Sequence, residues 1–101
     1  MRSMFYTYFL QSENYDETYI GFTGDLKSRI KEHNQGLTPS TRRYKPWKLI
    51  YYEACANEQD ARSREVYLKT GMGKRYVKNR IKGFLVNKHM IPLEANVIIN
   101  K

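Results

Sequence analysis

Two aromatic segments, the first free of helix and strand breakers, flank a short polar run, and this limits the fold more than any other feature of the chain. Residues 4–10 (MFYTYFL) contain no glycine or proline and are rich in the aromatic side chains that suit strands. Residues 12–17 (SENYDE) read as a polar turn and residues 18–22 (TYIGF) as a second strand, so a β-hairpin is predicted. Side chains alternate faces along a strand. Tyr6 and Tyr8 therefore share one face of the first strand, and Tyr19 and Gly21 share one face of the second. The pattern leaves the register, and so the coincidence of those faces, open.

After the hairpin, Thr23 or Asp25 can cap a helix whose apolar pair is Leu26 and Ile30 and whose stop is Gly36. Residues 37–47 (LTPSTRRYKPW) carry two prolines and read as a loop, and residues 48–53 (KLIYYE) as a third strand. Asn57 caps a second helix running to about Thr70 and ended by Gly71-Met72-Gly73. Residues 74–85 form a third helix, with Val77, Ile81 and Phe84 at helical spacing. The order ββαβαα predicts an α+β domain over residues 1–85: a small three-stranded antiparallel sheet flanked by helices. Residues 86–101 read as an extension of unassigned role.

Cys55 is the only cysteine, which excludes an intramolecular disulfide and a CxxC zinc site. No signal peptide and no apolar run of about 18 residues is present, so a cytoplasmic protein without a membrane partner is expected. Eighteen Lys and Arg against ten Asp and Glu give a net charge of +8. The excess is uneven: Arg42, Arg43, Lys45 and Lys48 cluster around Pro46, and Lys74, Arg75 and Lys78 lie within an acid-free run from Val66 to Met90. Such clusters suit a phosphate backbone, though a soluble basic surface has the same composition.

Glu65 is the most informative single residue. With Ala61 and Leu68 it falls at i, i+4 and i+7, on one helical stripe. A carboxylate there needs a partner. Either it pairs with Arg62, Arg64 or Lys69, or it holds a cation; one carboxylate suits Mg²⁺, which keeps most of its waters. Arg29 and His33, four residues apart, point the same way from the first helix and could equally be solvated surface beside Glu32.

Tyr19-Ile20-Gly21, followed by Asp25-Leu26-Lys27-x-Arg29 and Glu32-His33-Asn34-x-Gly36, resembles the core of the GIY-YIG nuclease superfamily. The similarity is strongest to small stand-alone members related to the nuclease domain of the bacterial excision-repair incision subunit. It continues through Pro46-Trp47-Lys48-Leu49-Ile50-Tyr51-Tyr52-Glu53 and Arg64-Glu65-x-Tyr67-Leu68-Lys69-x-Gly71, covering roughly residues 5–85.

The resemblance implies that Tyr8 and Tyr19 are the active-site tyrosines and that Gly21 permits close approach. It makes Arg29 the helix arginine, His33 its polar partner and Glu65 the ligand of a single Mg²⁺ (or Mn²⁺). Asn79 matches the family's downstream asparagine only loosely. One departure stands out: the Gly and Ile positions of the first motif hold Tyr6 and Thr7.

The implied activity is endonuclease hydrolysis of DNA, with RNA not excluded. Without a base-recognition motif, cutting should be structure-dependent or nonspecific. One active site per chain means that cutting both strands takes two events or a homodimer. Either Tyr8 or His33 could be the general base. The alternative is a non-catalytic nucleic-acid-binding module on the same scaffold.

Overall fold

The structure, a computed structural model, describes residues 4–87. Strands β1 (Phe5–Ser12) and β2 (Thr18–Thr23) are followed by helix α1 (Leu26–Asn34) and a 3₁₀ turn (Arg42–Tyr44). Then come β3 (Trp47–Cys55), α2 (Glu58–Leu68), α3 (Gly71–Arg80) and α4 (Lys82–Asn87). The sheet is antiparallel with order β2-β1-β3. The α+β architecture expected from the sequence is the one observed, with one helix more.

Tyr8 lies opposite Gly21, and Leu10 opposite Tyr19, so the two tyrosine-bearing faces are the same face. On the other side of β1, Tyr8 faces Tyr52. The register shifts between Phe9 and Leu10, which pair with Tyr51 and Leu49 and leave Ile50 as the extra residue of a bulge.

Alternation along β1 feeds two cores. Tyr8 and Leu10 pack with Trp47 and, from α1, Leu26 and Ile30. Phe9 packs on the opposite face with Ile20, with Leu68 of α2 and with Val77 of α3. The Thr7 hydroxyl donates to the Ala61 carbonyl at 2.8 Å, fastening α2 to that second face.

Helix ends follow local chemistry. The Asp25 carboxylate accepts from the Ser28 amide, capping α1. At its other end Gly36 has φ 77°. The Gly36 amide donates to His33 O at 3.1 Å and the Leu37 amide to Glu32 O at 3.1 Å, the paired bonds of a Schellman ending.

Three expectations need correction. First, β1 continues past Leu10 through Gln11 to Ser12, where polarity had marked the start of a turn. Gln11 Nε2 donates to the carbonyls of Ser12, Tyr15 and Glu17, and Ser12 Oγ to Tyr44 O, so these donors are satisfied while buried, whereas Gln11 Oε1 is buried without a hydrogen-bond partner among the described residues. Second, Gly71-Met72-Gly73 starts α3 instead of only ending α2. Thr70 caps it by accepting from the Gly73 amide. A Cβ on Gly73 would strike Tyr67 O and Leu68 Cα, so this glycine lets the first turn of α3 lie against the last turn of α2. Third, residues 74–85 are not one helix. Ile81, at φ −117° and ψ 26°, ends α3, and α4 turns Leu85 back onto the protein. The expected extension meets the structure only at Val86 and Asn87, the end of α4; residues 88–101 lie outside the described residues.

Candidate functional site

The central strand delivers Tyr8 between α1 and β2, with its ring over Gly21. A Cβ at Gly21 would collide with Tyr8 Oη and Cζ and with Tyr19 Cε2, so only glycine leaves room for both rings. The Tyr8 hydroxyl lies 2.8 Å from His33 Nε2, and His33 Nδ1 lies 2.8 Å from Thr41 Oγ1. The Thr41 hydroxyl has the Thr38 carbonyl as an acceptor at 3.4 Å. Thr41 therefore accepts from Nδ1–H, and Nε2 is left as the acceptor for the Tyr8 hydroxyl.

Thr41 is itself held in place, because Trp47 Nε1 donates to its carbonyl at 2.9 Å. The Asn34 carboxamide bonds both Trp47 backbone groups, tying the end of α1 to the start of β3. Thr41 was missed in the sequence, since a loop threonine carries no periodic signal. His33 had one. With Leu26 and Ile30 it falls at i, i+4 and i+7, the buried stripe of α1, and it is 0% exposed.

Arg29 flanks that stripe with its side chain 31% exposed, and its Nη1 meets Glu32 Oε1 at 2.8 Å. The guanidinium also acts on the Tyr8 hydroxyl, lowering its pKa against the effect of burial. Tyr19 closes the other side, its ring centroid 4.9 Å from that of His33 and 6.2 Å from that of Tyr8. Five expected residues, Tyr8, Tyr19, Gly21, Arg29 and His33, are thus brought together.

Burial pushes the Tyr8 hydroxyl up to about 12, aided by Tyr19 and Glu65 and opposed by the Arg29 guanidinium. Burial and the Arg29 charge pull His33 down to about 4. At neutral pH both groups are uncharged.

Glu65 acts on Tyr8 through its charge. Its side chain is 22% exposed and pairs with Lys69 at 3.1 Å. Among the described residues no three His, Cys, Asp or Glu side chains gather as an all-protein metal cage would need. A single part-exposed carboxylate still fits a hydrated Mg²⁺ or Mn²⁺ that takes its other oxygens from water and phosphate.

The basic residues divide between the two sides of the sheet. Arg42, Arg43 and Lys45 are exposed in or beside the 3₁₀ turn that follows Thr41. Lys74 and Lys78 rim a cavity of about 280 Å³ over the opposite face, beside Phe9 and Ile20. Arg75 and Asn79 are exposed on the same helix, α3. Lys48 lies over the Phe84 ring of α4, 5.6 Å from its centroid.

Residues 4–82 match the family model of the GIY-YIG catalytic domain. The chain belongs to the GIY-YIG family, and so to a nuclease superfamily that acts on nucleic acid and generally uses divalent metals. It is 42% identical over 67 residues to a UPF0213 protein of Clostridium perfringens, covering 65% of this chain and 71% of that one. It is also 38% identical over 71 residues to a UPF0213 protein of Pediococcus acidilactici, covering 63% and 72%. The solution structure of a UPF0213 protein from Bacillus halodurans is similar at 27% identity and a TM-score of 0.45, over 73% of this chain and 81% of that one. Among the described residues no helix is long and apolar enough to cross a membrane.

Proposed function

We propose that the protein is a divalent-metal-dependent endonuclease that hydrolyses phosphodiester bonds in DNA, structure-dependently or without specificity. The observation that carries this is the Tyr8 hydroxyl, held between His33 Nε2 and the Arg29 guanidinium. Glu65 would hold Mg²⁺ or Mn²⁺ in exchange for Lys69. When bound, the ion would polarise a phosphoryl oxygen and offset charge on the leaving oxygen.

Arg29 would leave Glu32 for the phosphate, donating a bidentate pair to its oxygens. Tyr8 is 0% exposed with Arg29 against it, so the same movement would open Tyr8 to water. Tyr8 would accept a proton from that water while passing its own to His33 Nε2. The imidazolium so formed would keep its Nδ1–H bond to Thr41. Tyr19 would orient the phosphate or the water from its part-exposed position. Arg42, Arg43 and Lys45 would steer the backbone on the site's side, and Lys48, Lys74, Arg75 and Lys78 would extend the attraction beyond it. Asn79 would support the strand from α3. The assignment includes a cytoplasmic, repair-type role, with two encounters or a homodimer for cutting both strands.

One observation favours the second reading, a non-catalytic nucleic-acid-binding module: Tyr8 and His33 are both closed to solvent, and Glu65 is already paired. A cleavage panel separates the two. Branched, flapped, single-stranded and duplex DNA, with matched RNA, are incubated with the protein or Glu65→Ala in Mg²⁺, Mn²⁺ or EDTA. Metal-dependent cleavage by the wild type alone supports the enzyme. Cleavage that survives Glu65→Ala overturns the role of Glu65, and retention without cutting on every substrate supports the binding module.

A further inference from the structure

We propose that the open groove beside Tyr8, walled by Tyr6 and Tyr52, takes an unpaired nucleobase next to the reacting phosphate, so that substrates with single-stranded nucleotides are preferred. The position of that phosphate rests on the nuclease assignment above; the groove itself does not.

The groove holds about 540 Å³ and is lined by Tyr6 and Tyr52 together with Lys27, Leu26, Ile30 and Leu49. Tyr52 sits directly opposite Tyr8 across the β1–β3 ladder, so both side chains leave the sheet on one face. Tyr6, two residues before Tyr8 on the same face, lies roughly 7 Å further along the strand. The Tyr6 and Tyr52 rings meet edge-on, with centroids 5.9 Å apart and an interplanar angle of 62°. Tyr52 is 49% exposed, whereas Tyr8 and Leu10, further along this face, are fully buried. The core therefore stops short of it, and an aromatic face is left to solvent beside the candidate site.

Charge points to the occupant. The chain carries +8, and Lys27 lies on the groove rim. Asp25 shares that rim and keeps its charge there while accepting from the Ser28 amide at 3.2 Å, so the attraction for a phosphate backbone comes from Lys27 together with the net charge of the chain. An aromatic platform with a cation at its rim suits a base attached to a phosphate backbone, and stacking tolerates any base. That tolerance agrees with a chain lacking a base-reading motif. In the interior of a duplex both faces of a base are already stacked, so away from the ends only an unpaired nucleotide can present one to Tyr52.

The test is binding in EDTA, where nothing is cut, followed by fluorescence anisotropy with the full chain. Wild type, Tyr52→Ala and Tyr52→Phe are titrated into labelled oligothymidylate, a flapped duplex and a blunt duplex. Tyr52→Ala should weaken binding to the first two about tenfold, the effect of one lost base stack, and leave the blunt duplex unchanged. Tyr52→Phe keeps the ring and should bind as wild type does. A single abasic nucleotide, walked through the flap, should erase the difference between wild type and Tyr52→Ala at one position, adjacent to the cut made when Mg²⁺ is added.

Equal weakening on all three DNAs, or none on any, overturns the groove assignment, as does failure of the wild type to bind oligothymidylate. Glu65-dependent cleavage with a neutral Tyr52→Ala would leave the nuclease standing and remove the groove. Selective loss of single-strand binding without cleavage would support the groove as a base site and remove the nuclease.

Discussion

Stability should fall as pH drops from neutrality to 4, and His33 should be responsible for a measurable part of the fall. In the folded protein burial and the Arg29 charge hold its imidazole at about 4, against about 6.5 in an unfolded chain. As pH falls below 6.5 the unfolded state takes up a proton that the folded state refuses, so unfolding gains. The contribution is fully present above 6.5. About 2 kcal/mol is lost by pH 5 and about 3 kcal/mol by pH 4. Carboxylates titrate nearby and must be separated. Glu53, held below its usual value by hydrogen bonds from Arg64, gives stability that is also lost as pH falls through its depressed folded value. The comparison is therefore with His33→Gln, which can still accept from Tyr8 and keeps every carboxylate. Urea unfolding followed by Trp47 fluorescence (Trp47 is 4% exposed) gives both stabilities at pH 7, 6, 5 and 4. The advantage of the wild type over His33→Gln should shrink by about 3 kcal/mol across that window. Parallel curves would mean that the imidazole titrates alike in both states, and the buried neutral histidine would be refuted.

Gly21→Ala should destabilise by about 1–3 kcal/mol in urea, because the new methyl displaces the Tyr8 ring from its bond to His33; unchanged stability refutes the close fit. Gly73→Ala and Gly71→Ala should differ sharply although the two sites are neighbours. At Gly73 the methyl meets main-chain atoms of Tyr67 and Leu68, whereas at Gly71 nothing lies within 4 Å, so thermal melts should show a loss for the first and neutrality or a gain for the second. Arg29→Lys should lower kcat/KM for cleavage by about ten- to a hundredfold, since an ammonium cannot form the planar pair of bonds to phosphate; steady-state kinetics near wild-type values would remove that role.

The hairpin, the third strand and the helix caps were legible because each rests on local rules. Alternation places Tyr6 and Tyr8 together, Asp25 has a free amide to accept from, and Gly36 adopts the positive φ its position needs. The errors share a cause: they involve residues whose meaning depends on what packs against them. Gly73 reads as a breaker in isolation, yet it exists to let two backbones touch. Ser12 reads as the start of a turn until its partner carbonyl is placed. Within the site, the i, i+4 relation of Arg29 and His33 suggested a matched polar pair on one exposed face. In the structure the two differ: His33 completes the apolar stripe begun by Leu26 and Ile30, and Arg29 stands at its edge. Thr41 had no sequence signal, because its role is fixed by the Trp47 indole and the Thr38 carbonyl, contacts that only the folded loop creates.

Either Tyr8 or His33 could be the general base, and in the proposed reaction their hydrogen bond would make both of them parts of one transfer. Each alone is a poor base. A phenol raised to about 12 by burial gives up its proton reluctantly, and an imidazole lowered to about 4 holds one weakly. In the proposed reaction neither needs to carry a stable charge first, because Tyr8 gains a proton from water as it loses its own to Nε2. Arg29 lowers the pKa of His33, and an anionic phosphate that engages Arg29 would offset this charge. The imidazole would then become a better acceptor only when substrate is present. The same event draws Arg29 away from Glu32 and from the Tyr8 hydroxyl, so substrate binding would open the relay and strengthen its base together. A site built this way is inert without its anion, which is what full burial of two neutral partners beneath a part-exposed arginine would achieve.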